Sequence, residues 1–264
     1  MVAARAVLTA GLLLIAAALL GRAPVLAADL ADGGAALVVE IVDGDTLVLD
    51  DGRQVRLVGI QAPKLPLGRA HVRKWPLADD AKAVLAGLTL NRRVRLSYGG
   101  RRLDRYKRAL AHLHDESGRW VQGELLRRGM ARVYSFRDNR ARVPEMLALE
   151  RAARAAGRGI WGLDWYGVRD ATQSPQFVNS FQLVTGRVRE VAVVRGRAYL
   201  NFGADWRSDF TVTIGPRDRK LFDREDVDYR GLAGRRIRVR GWLKDFNGPM
   251  IEATHPEQIE VLPE

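Results

Sequence analysis

Two Asp-Gly turns, Asp43-Gly44 and Asp51-Gly52, cut the chain after residue 36 into three short runs of β type. Residues 36–41 are apolar and β-branched, residues 46–49 continue them, and residues 54–60 form the third run. Pro76 with Asp79 and Asp80 then opens a helical stretch, in which Ala81, Val84, Leu85 and Leu88 recur at helical spacing. Segments 92–98 and 109–114 read as two more strands, the first alternating basic with apolar residues. Three strands, a helix and two strands is the order of a five-stranded OB-type barrel. The expected fold class is therefore mainly β with packed helices. Two helices follow the barrel, 121–128 ending at Gly129 and 145–156 opened by Pro144, and Trp161 is expected to pack back on it.

The second half repeats the order more simply. Strands are expected at 182–194, 198–202 and 210–214, a polar helical crossover at 216–232, and strands at 236–242, 250–254 and 258–262. This predicts a second OB-like β-barrel, with no sequence repeat between the halves. The expected organisation is an N-terminal segment 1–27, a first domain 34–166, a linker 167–179 around Gln173-Ser174-Pro175-Gln176, and a second domain 180–264.

Residues 8–20 form an apolar run flanked by Arg5 and Arg22. It is shorter than the roughly 20 residues a spanning helix needs. Val25-Leu26-Ala27 supplies small residues at the positions a signal peptidase reads, so residues 1–27 are expected to be a cleaved signal peptide. The chain is then exported, periplasmic or secreted, with no stable membrane insertion; the alternative is an anchor formed by an uncleaved helix. The chain has no cysteine, which excludes disulfide partners and thiolate metal sites. Its formal charge of +12 is uneven. Residues 28–177 carry 26 Lys+Arg against 18 Asp+Glu, whereas residues 178–264 carry 15 against 13. A polyanionic partner is thus argued for the first half.

Three motifs stand in order within that half: Val42-Asp43-Gly44-Asp45-Thr46, Val55-Arg56-Leu57-Val58-Gly59-Ile60-Gln61-Ala62-Pro63, and Asp104-Arg105-Tyr106-Lys107-Arg108-Ala109-Leu110-Ala111. With Gly123-Glu124-Leu125-Leu126 and Gly159-Ile160-Trp161 they resemble the thermonuclease (staphylococcal-nuclease-like) family over roughly residues 36–161. The resemblance implies phosphodiester chemistry: two arginines on the phosphate, a calcium site and a glutamate acting on water. Arg56 and Arg108 match the arginines, and Asp45 matches one metal-ligating aspartate. Arg105 and Tyr106 stand beside the phosphate segment.

The same resemblance exposes a departure. Gln61 stands where the family has its second ligand aspartate, Ala62 replaces a threonine that binds through its carbonyl, and Lys64 replaces the glutamate. Calcium takes six to eight oxygens with several carboxylates among them, so an amide and an ammonium argue against it. The favoured reading is an exported protein that binds nucleic acid, single-stranded DNA or RNA, with calcium-dependent hydrolysis lost or weakened and Lys64 available as a phosphate contact. Two alternatives stand beside it: an active endonuclease using another metal or base such as Asp43, and a protein-interaction module. An ungapped reading puts Ser135 and Arg137 at the family's base-contacting tyrosines, with Tyr134 and Phe136 next to them. Aromatics of the second half, among them Trp206, Trp242 and Phe246, are expected in its core more than on its surface. Arg151 and Arg154 are expected on a solvated helix face, and His112 and His114 on one face of a strand.

Overall fold

A computed structural model describes residues 30–71 and 73–263. The expected signal segment lies outside the described residues. Among those residues, no helix is long and apolar enough to cross a membrane.

The first unit is a closed barrel. Its strands are β1 (Ala31–Asp43), β2 (Thr46–Leu49), β3 (Gln54–Leu57), β5 (Arg93–Tyr98) and β6 (Ala109–Asp115), joined in the order β1-β2-β3-β6-β5. All pairs are antiparallel except β3 with β6. Helix α1 (Ala78–Thr89) crosses between the third and fourth barrel strands and buries Ala81, Leu85 and Leu88 in the common core. Helices α2 (Val121–Arg127) and α3 (Val143–Ala155) pack on each other outside the barrel. The run expected as one strand to residue 60 breaks at Gly59, whose φ is +81°. That conformation favours glycine, and a Cβ there would also lie 2.6 Å from Met146 Cε at the end of a side chain of α3. Beyond the break, β4 (Ile60–Gln61) pairs with β7 (Arg132–Val133) as a separate ribbon.

The second unit has its own core, built on Val184, Leu200, Val212, Phe222, Val239 and Ile251. Its strands are β8 (Arg169–Asp170), β9 (Ser180–Arg187), β10 (Glu190–Val194), β11 (Arg197–Asn201), β12 (Thr211–Ile214), β13 (Arg236–Asp245), β14 (Pro249–Glu252) and β15 (Ile259–Val261). Pairing runs β10-β11-β12-β14-β13-β9-β8, with β15 on β13. The strand expected over 182–194 is two strands, split where Val188 buries its side chain and donates its N–H to Arg235 O. The path of pairing is therefore open, but its two main strands at the ends, β9 and β10, are joined by Val188 and Arg189 alone. Helix α4 (Pro216–Arg224) crosses between β12 and β13; with β8 set aside and β9 and β10 counted as one broken strand, these are the third and fourth, as the strands flanking α1 are in the first unit. The segment expected as a linker is instead part of this sheet. β8 pairs parallel to β9, Ala171 enters the core, and Asp170 caps the 3-10 stretch Ala171–Phe177.

The two units share a buried ionic seam. Arg240, on β13, is 1% exposed and donates to both oxygens of Glu150 on α3 at 3.0 and 2.9 Å, and to Glu260 at 2.6 Å. Arg154, expected in solvent, is instead mostly covered and bonds Glu150 at 2.9 Å, whereas Arg151 stays half exposed, as expected, and reaches Glu260 at 3.4 Å from the rim. The covering of Arg154 by the second unit is not revealed by the helical pattern of α3.

Candidate functional site

The β1–β2 turn sets the position of Asp45. A Cβ on Gly44 would fall 2.7 Å from the Cβ atoms of both Ala62 and Ala81, so the turn presses directly on α1 and on the segment that follows β4. Asp45 is fully buried there. Ala62 N donates to its Oδ2 at 2.7 Å, Lys64 Nζ donates to both carboxylate oxygens at 2.7 Å, and Arg56 Nη1 lies 3.2 Å from Oδ1. Burial alone would raise the pKa of this group. The charges of Arg56 and Lys64, with the two hydrogen bonds, outweigh it and hold the carboxyl at about 2. Asp43 goes the other way: burial and the adjacent Asp45 charge raise its pKa, against the pull of Lys64 at 3.5 Å.

Gln61 is held elsewhere. Its Oε1 accepts from Arg132 Nε at 3.0 Å and Nη2 at 2.7 Å across the β4–β7 ribbon. Arg132 is itself buried, its guanidinium 4.6 Å from the centre of the Phe181 ring and 5.7 Å from that of Trp75. Burial lowers its pKa to about 10. A calcium ion in this turn would need hard oxygens that are free. Asp45 has both oxygens on an ammonium, and Gln61 turns its oxygen to a guanidinium. Among the described residues, no group of three or more histidine, cysteine or acidic side chains is placed to hold a metal. The residues present do not fit calcium.

In front of this buried group lies a cleft of about 470 Å³, lined by Arg56, Arg105, Tyr106, Arg108, Tyr134 and Phe136 among others. Asp45, Gln61 and Lys64 are not in its wall; Arg56 connects the two layers. Arg56 Nη1 donates to Leu57 O at 2.9 Å and Nη2 to Ile60 O at 2.8 Å, which fixes the guanidinium plane. Arg108 is positioned by the loop before β6. Asp104 Oδ1 accepts the N–H groups of Tyr106 and Arg108, and Asp104 Oδ2 accepts Arg108 Nε at 2.8 Å. Lys107 completes the turn with a left-handed φ of 63°. Arg105 and Arg108 stand over the Tyr106 ring at 4.7 and 5.5 Å, and that ring is 64% exposed. The arrangement offers guanidinium donors beside upright aromatic rings, which is what a phosphate chain with unpaired bases requires.

Tyr134 and Phe136 form the far wall, edge to face at 4.9 Å. The ungapped reading is thereby corrected. Ser135 turns away to bond His255 Nε2 at 2.8 Å, and Arg137 bonds Asp218 at 2.8 Å. Extended backbone alternates its side chains, so when 134 and 136 face the cleft, 135 and 137 face the second unit. Arg140 continues that attachment, bonding Glu225 and Glu257. A larger hollow of about 690 Å³ lies beside β5, lined by His114 and Arg142. Neither it nor His112, which is 2% exposed, shares a residue with the motifs.

Residues 54–162 match the family model described as staphylococcal nuclease homologue. The chain is 28% identical over 132 residues to the thermonuclease of Staphylococcus hyicus, covering 47% of this chain and 73% of that one. It is 35% identical over 135 residues to Protein ParB of Escherichia coli, covering 47% and 70%. To the thermonuclease of Staphylococcus intermedius it is 31% identical over 115 residues, 40% and 64%.

Proposed function

Since the chain belongs to the staphylococcal nuclease homologue family, we propose that it binds single-stranded nucleic acid in the Arg56–Arg108 cleft without calcium-dependent hydrolysis. The observation that carries this reading is Lys64 Nζ, 2.7 Å from both oxygens of the one aspartate that matches a family metal ligand. Where the family resemblance implies a divalent cation, this chain holds its own ammonium. The carboxylate that would activate water is the residue replaced by that lysine.

In this reading Arg108 and Arg105 meet phosphate oxygens, and Tyr106, Tyr134 and Phe136 stack on unpaired bases. Arg56 is a positioning group as much as a ligand, because its guanidinium also balances the buried Asp45. Arg108→Ala is expected to weaken binding of an oligothymidylate about tenfold, the lower end for a charge-assisted bond, because Asp104 already shares this cation. It should also reduce the salt slope of log K by about one. Cleavage of the same strand, or of RNA, is expected to be absent with calcium, with magnesium and with chelator. Metal-dependent cleavage that disappears in Arg108→Ala would establish an active endonuclease instead, and salt-independent binding would favour a protein-interaction module.

The loop allows a converse test. In Gln61→Asp with Lys64→Glu, the ammonium beside Asp43 and Asp45 would give way to an acid, and a second acid would stand at position 61. The double variant is expected to melt lower than the parent in chelator and to recover with millimolar calcium, since a ligand bound only by the folded state stabilises it. The parent should show no calcium-dependent shift; if it does, the site binds calcium despite Lys64. Export belongs to the same proposal, on the strength of residues 8–27, and N-terminal sequencing of the mature protein tests it: a start at Ala28 supports a cleaved signal, and an intact Met1 an anchor.

A further inference from the structure

The second unit carries a cleft at the places its own topology shares with the first. In the first unit, the third barrel strand supplies Arg56 and the loop between the fourth and fifth strands supplies Arg105, Tyr106 and Arg108. In the second unit, the corresponding strand is β12 and the corresponding loop is the β13–β14 hairpin. These again line one cleft, of about 430 Å³. Its floor consists of two cross-strand rows. Glu190, Asn201, Thr211 and Met250 stand in register across β10, β11, β12 and β14, and Ala192, Tyr199 and Thr213 run beside them. Trp206, from the β11–β12 loop, and Phe246, from the hairpin, form the walls, 50% and 66% exposed. The expectation that these aromatics belong to the core therefore fails for both, while Phe210 does enter it at 2% exposed.

The walls are held together. A Cβ on Gly248 would meet the carbonyl carbon and oxygen of Ser208 at 2.7 Å, so the hairpin lies directly on the β11–β12 loop. Arg207 packs over the Trp206 ring at 4.6 Å, and Asp205 fixes the loop by accepting from Arg207 N and Ser208 Oγ. Two rings are thus presented in a set geometry, at little further ordering cost on binding.

The chemistry of this cleft is the opposite of the first. Among the described residues that line it, Glu190 alone is charged, and it is an acid. Of the nearby cations, Arg197 and Lys244 are spent on Glu252, at 3.2 Å each, and Arg207 lies on the Trp206 ring outside the lining. A phosphate chain needs a positive groove, and this one has none in its lining. What remains is a pair of aromatic faces with amides from Asn201 and Asn247 and a carboxylate that accepts hydroxyl protons. OB-type barrels hold oligonucleotides or oligosaccharides on the face of their second and third strands and on loops that include the one between the fourth and fifth; this cleft uses that face and the β13–β14 hairpin, and adds Trp206 from the β11–β12 loop. We propose that this cleft binds a neutral oligosaccharide, stacking the apolar faces of its sugar rings on Trp206 and Phe246.

This site does not depend on the nucleic-acid reading of the first cleft. The full chain would be titrated with neutral hexasaccharides of glucose, β-1,4 and α-1,4 linked, and of N-acetylglucosamine, by calorimetry and tryptophan fluorescence. One of them is expected to bind with an affinity that does not change with salt. Trp206→Ala and Phe246→Ala should each weaken that binding about tenfold and leave oligothymidylate binding at Arg108 unchanged. Both side chains are at least half exposed, so an unchanged melting temperature would show that the fold is intact. Absence of binding by all three hexasaccharides overturns the proposal. So does a Trp206→Ala protein that loses oligothymidylate instead, which would assign the cleft to nucleobases.

Discussion

Arg240→Ala is expected to lower the stability of the protein by about 3 kcal/mol, and to lower it for both units at once. Glu150 is fully buried on α3 and has Arg240 on both its oxygens. Burial would raise its pKa, but the two bonds and the charge of Arg240, with Val133 N and Arg154, depress it instead. Removing the arginine leaves an ionised group in a dry seam with only part of its compensation, and the cost of stripping one partner from a buried pair exceeds the net worth of the pair. Because the partners come from α3 of the first unit and β13 of the second, urea unfolding followed by far-UV and tryptophan signals should show one transition that moves as a whole. A loss below about 1 kcal/mol, the worth of an exposed pair, or two separated transitions, would show that the seam does not join the units.

Acid is expected to destabilise the fold well above the range where carboxylates titrate. His112 is 2% exposed and His255 is 0% exposed, and burial, reinforced by nearby arginines, lowers the pKa of each to about 3. In the unfolded chain both take up a proton near pH 6.5, so below that pH the unfolded state holds two protons that the folded state refuses. Stability is therefore intact above about pH 6.5 and falls as pH drops toward 3, with a limiting slope of about 2.7 kcal/mol per pH unit for two groups. Asp45 adds to the loss only lower down, between its ordinary pKa and about 2. Chemical denaturation at pH 7, 6, 5 and 4 checks the slope. His255→Asn should lose about half of the dependence, and a flat profile over this range would mean the histidines protonate in place.

The barrel was readable because its determinants are local. Asp-Gly turns, alternating strands and a helix opened by Pro76 fall in an order that few folds share, and the motif residues Arg56 and Arg108 do line one cleft. What was not readable depends on partners far along the chain. Gln61 meets Arg132, 71 residues on, and no pattern around Gln61 announces it. Arg240 sits in a strictly alternating strand, where an arginine every second residue reads as a solvated face until α3 of the first unit covers it. Tyr134 and Phe136 were displaced by one position from the family's spacing, and strand alternation in place, not alignment, decided which of 134–137 faced the cleft. The residues 167–179 looked like a tether because polar residues and Pro175 dominate them. A two-strand contact and one buried alanine suffice to fold them onto the sheet.

The lysine beside Asp45 has a consequence for supply. A metal ion in such a turn obeys mass action: its occupancy follows the free ion in the medium, and a chelator removes it. An ammonium tethered to the chain is not drawn from the medium, and no chelator removes it. The field at the back of the cleft is then the same in calcium-rich and calcium-poor surroundings, and a strand entering it answers to ionic strength alone.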